Sequence, residues 1–221
     1  DEIDQNCDGE SAYHPSSGLG YGFQKSLYPI KRILSADVDG NGSRDVLMHA
    51  ATAEDNIGSV MFVQTAPDLD FSNIDHFDGV EWTGEAADDQ FGQAVAAVGD
   101  MDGNGVNDVL VSAAGTGKVY LINTDTPSGT AADAQVYWEY SDPSSSFGQN
   151  IFSLGDIDGD GAVEAMVTDP GYYYGSGNQF WPRGAVFLLD YDPASGTQNS
   201  MESHYILGAG NGAQLSSAVD N

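Results

Sequence analysis

The chain has 221 residues, 40% of them hydrophobic, enough to bury the core of one large domain or two small ones. Six Lys and Arg stand against 34 Asp and Glu, a formal charge of −28, which excludes nucleic acid as a partner because nothing would neutralise its phosphates. No run of about 18 apolar residues is present, so direct membrane insertion is not expected, and one cysteine, Cys7, leaves no intrachain disulfide.

With 28 Gly, 11 Tyr, 9 Phe and few helical patterns, the composition predicts an all-β chain of short strands joined by many turns. The first residue is Asp1 rather than Met, and the expectation is a processed or excised piece of something longer. Residues 1–27 form an N-terminal stub and linker. Asp4, Asn6 and Asp8 place oxygen side chains at alternate positions before Gly9, the opening of a calcium loop, but Ser11–Pro15 supplies no closing acid. A metal loop and a plain turn fit this stretch equally. Residues 16–22 read as a linker.

From residue 28 the chain repeats itself. Three nine-residue loops place oxygen side chains at positions 1, 3, 5 and 9, glycine at 6 and a backbone carbonyl at 7. The first holds Asp37, Asp39, Asn41, Ser43 and Asp45; the second Asp100, Asp102, Asn104, Val106 and Asp108; the third Asp156, Asp158, Asp160, Ala162 and Glu164. Ser43, Val106 and Ala162 contribute only their carbonyls. Alternate side chains of a tight loop converge on one point, and an all-oxygen set suits a hard cation such as Ca2+. An EF-hand opens in the same way and ends on a Glu at position 12; here that position is Met48, Val111 or Val167, inside an apolar run that reads as a strand. The expectation is about three calcium ions, with a fourth at the N-terminus if residues 4–8 bind. Three divalent ions offset about six charges.

Each loop joins two strands, and each unit carries four. The first strands are Ile30–Leu34, Ala94–Val98 and Ile151–Leu154; the second Val46–Met48, Val109–Ser112 and Ala165–Thr168. Third strands follow at Gly58–Val63, Gly117–Ile122 and Gly184–Leu189, and more polar fourth strands at Gly79–Trp82, Gln135–Tyr140 and Ser203–Leu207. Four short strands in about 60 residues make one blade of a propeller. The units span residues 28–90, 91–146 and 147–210. A partial fourth, 211–221, offers Gln214–Val219 as a first strand and Asp220 as the opening of a fourth loop. Three blades and one strand leave the ring incomplete.

The Phe-Gly pairs Phe91-Gly92 and Phe147-Gly148, the Gly-Asp-x-Asp-Gly loops and the Gly-x-Val-Tyr-Leu strand from Gly117 together resemble the FG-GAP repeats of the integrin α-chain β-propeller and its bacterial relatives. The resemblance covers residues 28–221 and implies calcium held at loop positions 1, 3, 5, 7 and 9. The first unit departs with Tyr28-Pro29 for Phe-Gly, and all three replace the Gly-Ala-Pro turn. Residues 4–10 resemble the end of the Asn-Cys-Asp-Gly metal-binding repeats of large bacterial surface proteins, without their second Cys.

No catalytic set emerges. His14, His49, His76 and His204 are scattered and read as packing or solvated residues, and Gly115–Lys118 lacks the earlier Gly and the Ser or Thr of a phosphate loop. Tyr172–Tyr174, Phe180, Trp181 and Arg183 fall in a long loop of the third unit, either a contact for sugar or protein or a cluster folded back on the blade. Residues 124–130 read as a loop suited to O-linked sugar. The sequence thus points to a non-enzymatic, extracellular or cell-surface calcium module with a structural or adhesive role. Its expected partner is a protein or glycan at the cell surface, or other copies of itself. Two alternatives stand beside it: a subunit of a filament joined through the terminal strand 214–219, and an accessory domain of a secreted hydrolase.

Overall fold

A computed structural model describes Ile30, residues 32–63, 79–125, 127–134, 136–140, Asp142 and residues 145–176, 179–199 and 205–208. The candidate loop at Asp4, Asn6 and Asp8, and the terminal strand with Asp220, lie outside the described residues, as do His14, His76 and His204.

The all-β expectation holds, and each unit is an antiparallel meander in which every strand pairs with the next. In the first unit β1 (Arg32–Ala36), β2 (Asp45–Ala50), β3 (Ser59–Val63) and β4 (Gly79–Thr83) lie in that order. The second unit orders β5 (Phe91–Gly99), β6 (Asp108–Ala113), β7 (Lys118–Asn123) and β9 (Val136–Glu139); the two-residue β8 (Gly129–Thr130) leaves this sheet and pairs parallel with β4. The third orders β10 (Ile151–Gly155), β11 (Glu164–Asp169), β14 (Ala185–Leu189) and β17 (Tyr205–Leu207). Every strand expected from the sequence in residues 30–207 is present, with ends shifted by a residue or a few. Among the described residues, helical backbone is limited to single turns at Ala53–Asn56 and Ala131–Asp133. No described helix is long and apolar enough to cross a membrane.

Two expectations are corrected. The long loop of the third unit is a hairpin, β12 (Tyr173–Ser176) paired with β13 (Gln179–Pro182). The segment read as a plain loop for O-linked sugar contains β8, whose two residues border β4 while Ser128 Oγ accepts from the Glu81 N–H at 2.9 Å. A second small hairpin, β15 (Tyr191–Asp192) with β16 (Thr197–Gln198), caps the third unit's loop in the same way. Its neighbour Asn199 accepts from Trp138 Nε1 at 3.1 Å, and Gln198 donates to the Tyr137 carbonyl. Thus the fourth strands of units one and two, which would otherwise be bare edges, are each covered by the next unit's connection from third to fourth strand.

The sheets stack face to face. One core cluster joins Leu47, Val60, Phe62 and Trp82 of the first unit to Phe91, Val109, Val111 and Tyr120 of the second. Another joins Leu110, Val119, Leu121 and Trp138 of the second to Phe147, Val167, Phe187 and Leu189 of the third. Alternate residues of β6 therefore enter opposite clusters, and the whole strand is buried. This explains its continuous apolar run.

The Phe-Gly pair is the latch between sheets. Phe91 and Phe147 are fully buried, and the glycine after each takes a positive φ, +83° at Gly92 and +92° at Gly148. A Cβ on Gly92 would lie 2.9 Å from both the Ser59 carbonyl and Val60 Cγ2; one on Gly148 would lie 2.8 Å from Ser112 Cβ. Buried His49 reaches the same corner, its Nδ1 2.6 Å from the Gly92 carbonyl, so that nitrogen carries the proton and donates. Gly155 shares the positive φ, +73°, yet has nothing within 4 Å of a built Cβ. Gly155→Ala is expected to cost about 1 kcal/mol in urea unfolding from backbone strain alone, whereas Gly92→Ala, which adds a clash to the same strain, should cost about 2–4 kcal/mol. Equal losses would show that sheet contact at the latch is loose.

Candidate metal centre

Each loop between the first and second strands closes with the same hydrogen bonds. The position 9 carboxylate accepts the N–H of position 2: Val38 to Asp45 at 2.9 Å, Met101 to Asp108 at 2.9 Å and Ile157 to Glu164 at 2.7 Å. The first Asp accepts the N–H of the glycine at position 6, Gly42 to Asp37 at 2.9 Å, Gly105 to Asp100 at 2.9 Å and Gly161 to Asp156 at 3.1 Å. Those glycines hold φ of +85°, +92° and +98°, which a residue with a Cβ would resist. Position 3 accepts from the N–H of position 5, and position 5 from that of position 7.

This wiring brings carboxylates together. Asp37, Asp39 and Asp45, then Asp100, Asp102 and Asp108, then Asp156, Asp158 and Glu164 each offer oxygens that all lie within 4.8 Å of one another. Each triad can hold a metal ion. The donors fit a cation specifically, because the backbone occupies only part of their capacity: Asp37 Oδ1, Asp100 Oδ1, Asp108 Oδ1 and Glu164 Oε1 are buried with no hydrogen-bond partner. Two ionised carboxylates at this separation repel by roughly 3–4 kcal/mol at an effective dielectric of about 20.

Positions 5 and 7 are placed differently. Asn41, Asn104 and Asp160 turn an oxygen onto the backbone N–H of Ser43, Val106 and Ala162, at 2.7, 2.7 and 2.8 Å, and Asp160 stands outside the third triad. The sequence missed the supporting residues. Asn123 of β7 donates to Asp102 Oδ2 at 3.4 Å, and Thr124 Oγ1 donates to the Val38 carbonyl at 2.7 Å while Asn107 Nδ2 reaches that of Asp37 at 3.2 Å. These last two bind the first loop to the second unit. They follow third-strand or loop positions with no motif of their own, so only the sheet stacking reveals them.

The other sequence candidates resolve into packing. Tyr172 lies among Tyr140, Phe187 and Tyr205, with ring centroids 5.5–5.8 Å apart, folded onto the blade. Gly115–Lys118 is the turn into β7, closed by Thr116 N–H donating to Ala113. Asp169 is buried and accepts from Ser145 Oγ and the Ser146 N–H at 2.6 and 2.8 Å, holding the corner before Phe147.

No model of a known protein family matches the chain, and no curated protein matches it.

Burial pushes the Asp108 carboxyl up to about 7, with Asp102 and Asp100 adding to the rise and the N–H groups of Met101 and Asp102 opposing it. Glu164 is raised for the same first reason, with Asp158, Asp190 and Asp160 adding and the Ile157 N–H opposing. Between about pH 4 and pH 7 the folded chain holds a proton on Asp108 that the unfolded chain has released, so this group lowers metal-free stability as pH rises through that window. In chelator, Asp108→Asn is therefore expected to gain melting temperature relative to the parent between pH 4 and pH 8. A difference that stays constant or shrinks over that range contradicts the assignment.

Proposed function

We propose that the chain is a calcium-binding structural module of an extracellular or cell-surface protein, its three sheets being blades of the propeller type. The observation that carries the reading is the repeated buried carboxylate oxygen without a partner, at Asp108 and Glu164 on position 9 and at Asp37 and Asp100 on position 1. Oxygen-only donors, with carboxylate and backbone carbonyl available in each loop and an amide in the first two, suit a hard cation, and a site needing many ligands from one flexible loop suits Ca2+ better than the rigid, water-keeping Mg2+. Loops of this kind in extracellular modules bind with Kd of about 10⁻⁴–10⁻³ M, which a calcium-rich exterior saturates.

Calcium here acts on stability rather than on chemistry. Folding gathers three like charges against the start of β2, β6 and β11, and the cation offsets their repulsion. The first loop also hydrogen-bonds the neighbouring sheet, so ordering it supports the stack. A cell-surface setting places a protein or glycan partner on the exposed faces. At about a hundredfold excess over Kd, each site should add about 2.7 kcal/mol of stability. Calorimetry is expected to show a melting temperature several degrees higher in calcium than in chelator, with a smaller rise for Asp100→Asn. A melting temperature that ignores calcium would sink the reading.

A further inference from the structure

We propose that the third unit holds the tightest of the three cation sites and fills first, with Asp160 and Asp190 as the residues that set it apart. The inference rests on the metal reading above and adds a rank among the loops. Its fit to a cation stands on geometry. Glu164 is 2% exposed, its Oε1 is buried with no hydrogen-bond partner, and it offers an oxygen within 4.8 Å of those of Asp156 and Asp158.

The loops differ in what already occupies the position 3 carboxylate. In the first, Asn41 Nδ2 donates to Asp39 Oδ2 at 2.7 Å; in the second, Asn123 Nδ2 donates from β7 to Asp102 Oδ2 at 3.4 Å. A cation entering either loop competes with an amide N–H for that oxygen. In the third unit both amides are replaced by carboxylates. Asp160 stands where the loop Asn would, and Asp190, one residue beyond the Ala165–Leu189 pair, stands where Asn123 faces Asp108. An ionised carboxylate only accepts, so neither side chain can do the work of the amides. Both instead act on Glu164 as like charges, together with Asp158. A cation is the group that relieves this crowding.

Ligand supply points the same way. Position 5 turns Oδ1 onto the position 7 N–H in all three loops, at 2.7, 2.7 and 2.8 Å. For Asn41 and Asn104 that is the side chain's one oxygen, whereas Asp160 has Oδ2 as well. Asp190 is held on both sides of its backbone: its N–H donates to Asn199 Oδ1 at 3.0 Å, and its carbonyl accepts the Asn199 N–H at 2.9 Å. Asn199 Oδ1 also takes Trp138 Nε1 of the second unit, so this charge is placed before any ion arrives. Exposure works against the third loop, because Asp156 and Asp158 are exposed where their equivalents are half-buried, and water screens part of the added field. An added ligand oxygen acts by contact and escapes that screening. Ligand charge count tunes loops of this chemistry over decades of Kd, which decides the balance.

The test is calorimetric titration of calcium into chelator-stripped protein, resolved into classes of site. One ion is expected to bind about tenfold or more tighter than the rest. In the double variant Asp160→Asn with Asp190→Asn, the tight step should merge with the weaker ones while the total stays at about three ions. The reverse exchange in the second unit, Asn104→Asp with Asn123→Asp, should create a second tight ion, and it leaves the third unit untouched. A single class of sites in the parent overturns the proposal. So does a tight step that survives the third-unit variant, or a second-unit variant that binds no tighter than the parent. Equal sites would leave the metal reading standing, whereas the absence of any saturable binding would remove both.

Discussion

One buried carboxylate in each unit organises what surrounds it. Asp45, Asp108 and Glu164 begin the second strands, and each accepts the N–H of the second loop residue, which fixes the turn that brings the first two aspartates alongside. An apolar residue there would leave that N–H unpaired, and at Asp108 and Glu164 the carboxylate's second oxygen is buried without a partner beside two further carboxylates. The cost of that arrangement without a cation is what suits the loop to a metal ion. Because the same loop residues, Val38 and Met101, plug the next sheet, the electrostatics of the site and the packing of the stack share one segment of chain.

The stack depends on close backbone approach elsewhere. Phe91 and Phe147 drive the hydrophobic contact between sheets, while the glycine beside each lets the backbone come within a distance no Cβ tolerates. Polar residues finish the corner: His49 on the Gly92 carbonyl, Asp89 on the N–H groups of Glu85 and Ala86, and Asp169 on Ser145 and Ser146. The central sheet is covered on both faces by its two neighbours.

Much of this was legible in the sequence. The loop spacing exposed the carboxylate triads because a tight turn maps sequence position directly onto direction, and the apolar runs exposed the strands because β6, β11 and β14 are buried over most of their length. What stayed hidden depends on partners distant in sequence. The two-residue strands β8, β15 and β16 have no period to read and exist through pairing. The aromatic segment from Tyr172 looked like a loop because its hairpin has few apolar alternations between polar ones. The turning of Asn41 and Asp160 onto the backbone is a local competition between ligand and Asx-turn roles that residue type alone does not decide.

The central claim is that the three carboxylate triads are cation sites. Titrating calcium into chelator-stripped protein by isothermal calorimetry tests it most directly. The account predicts saturable binding of about three ions per chain, one for each triad, with the number falling by one when Asp100 and Asp108 are both replaced by Asn. No saturable binding, or an unchanged number in that variant, would contradict it.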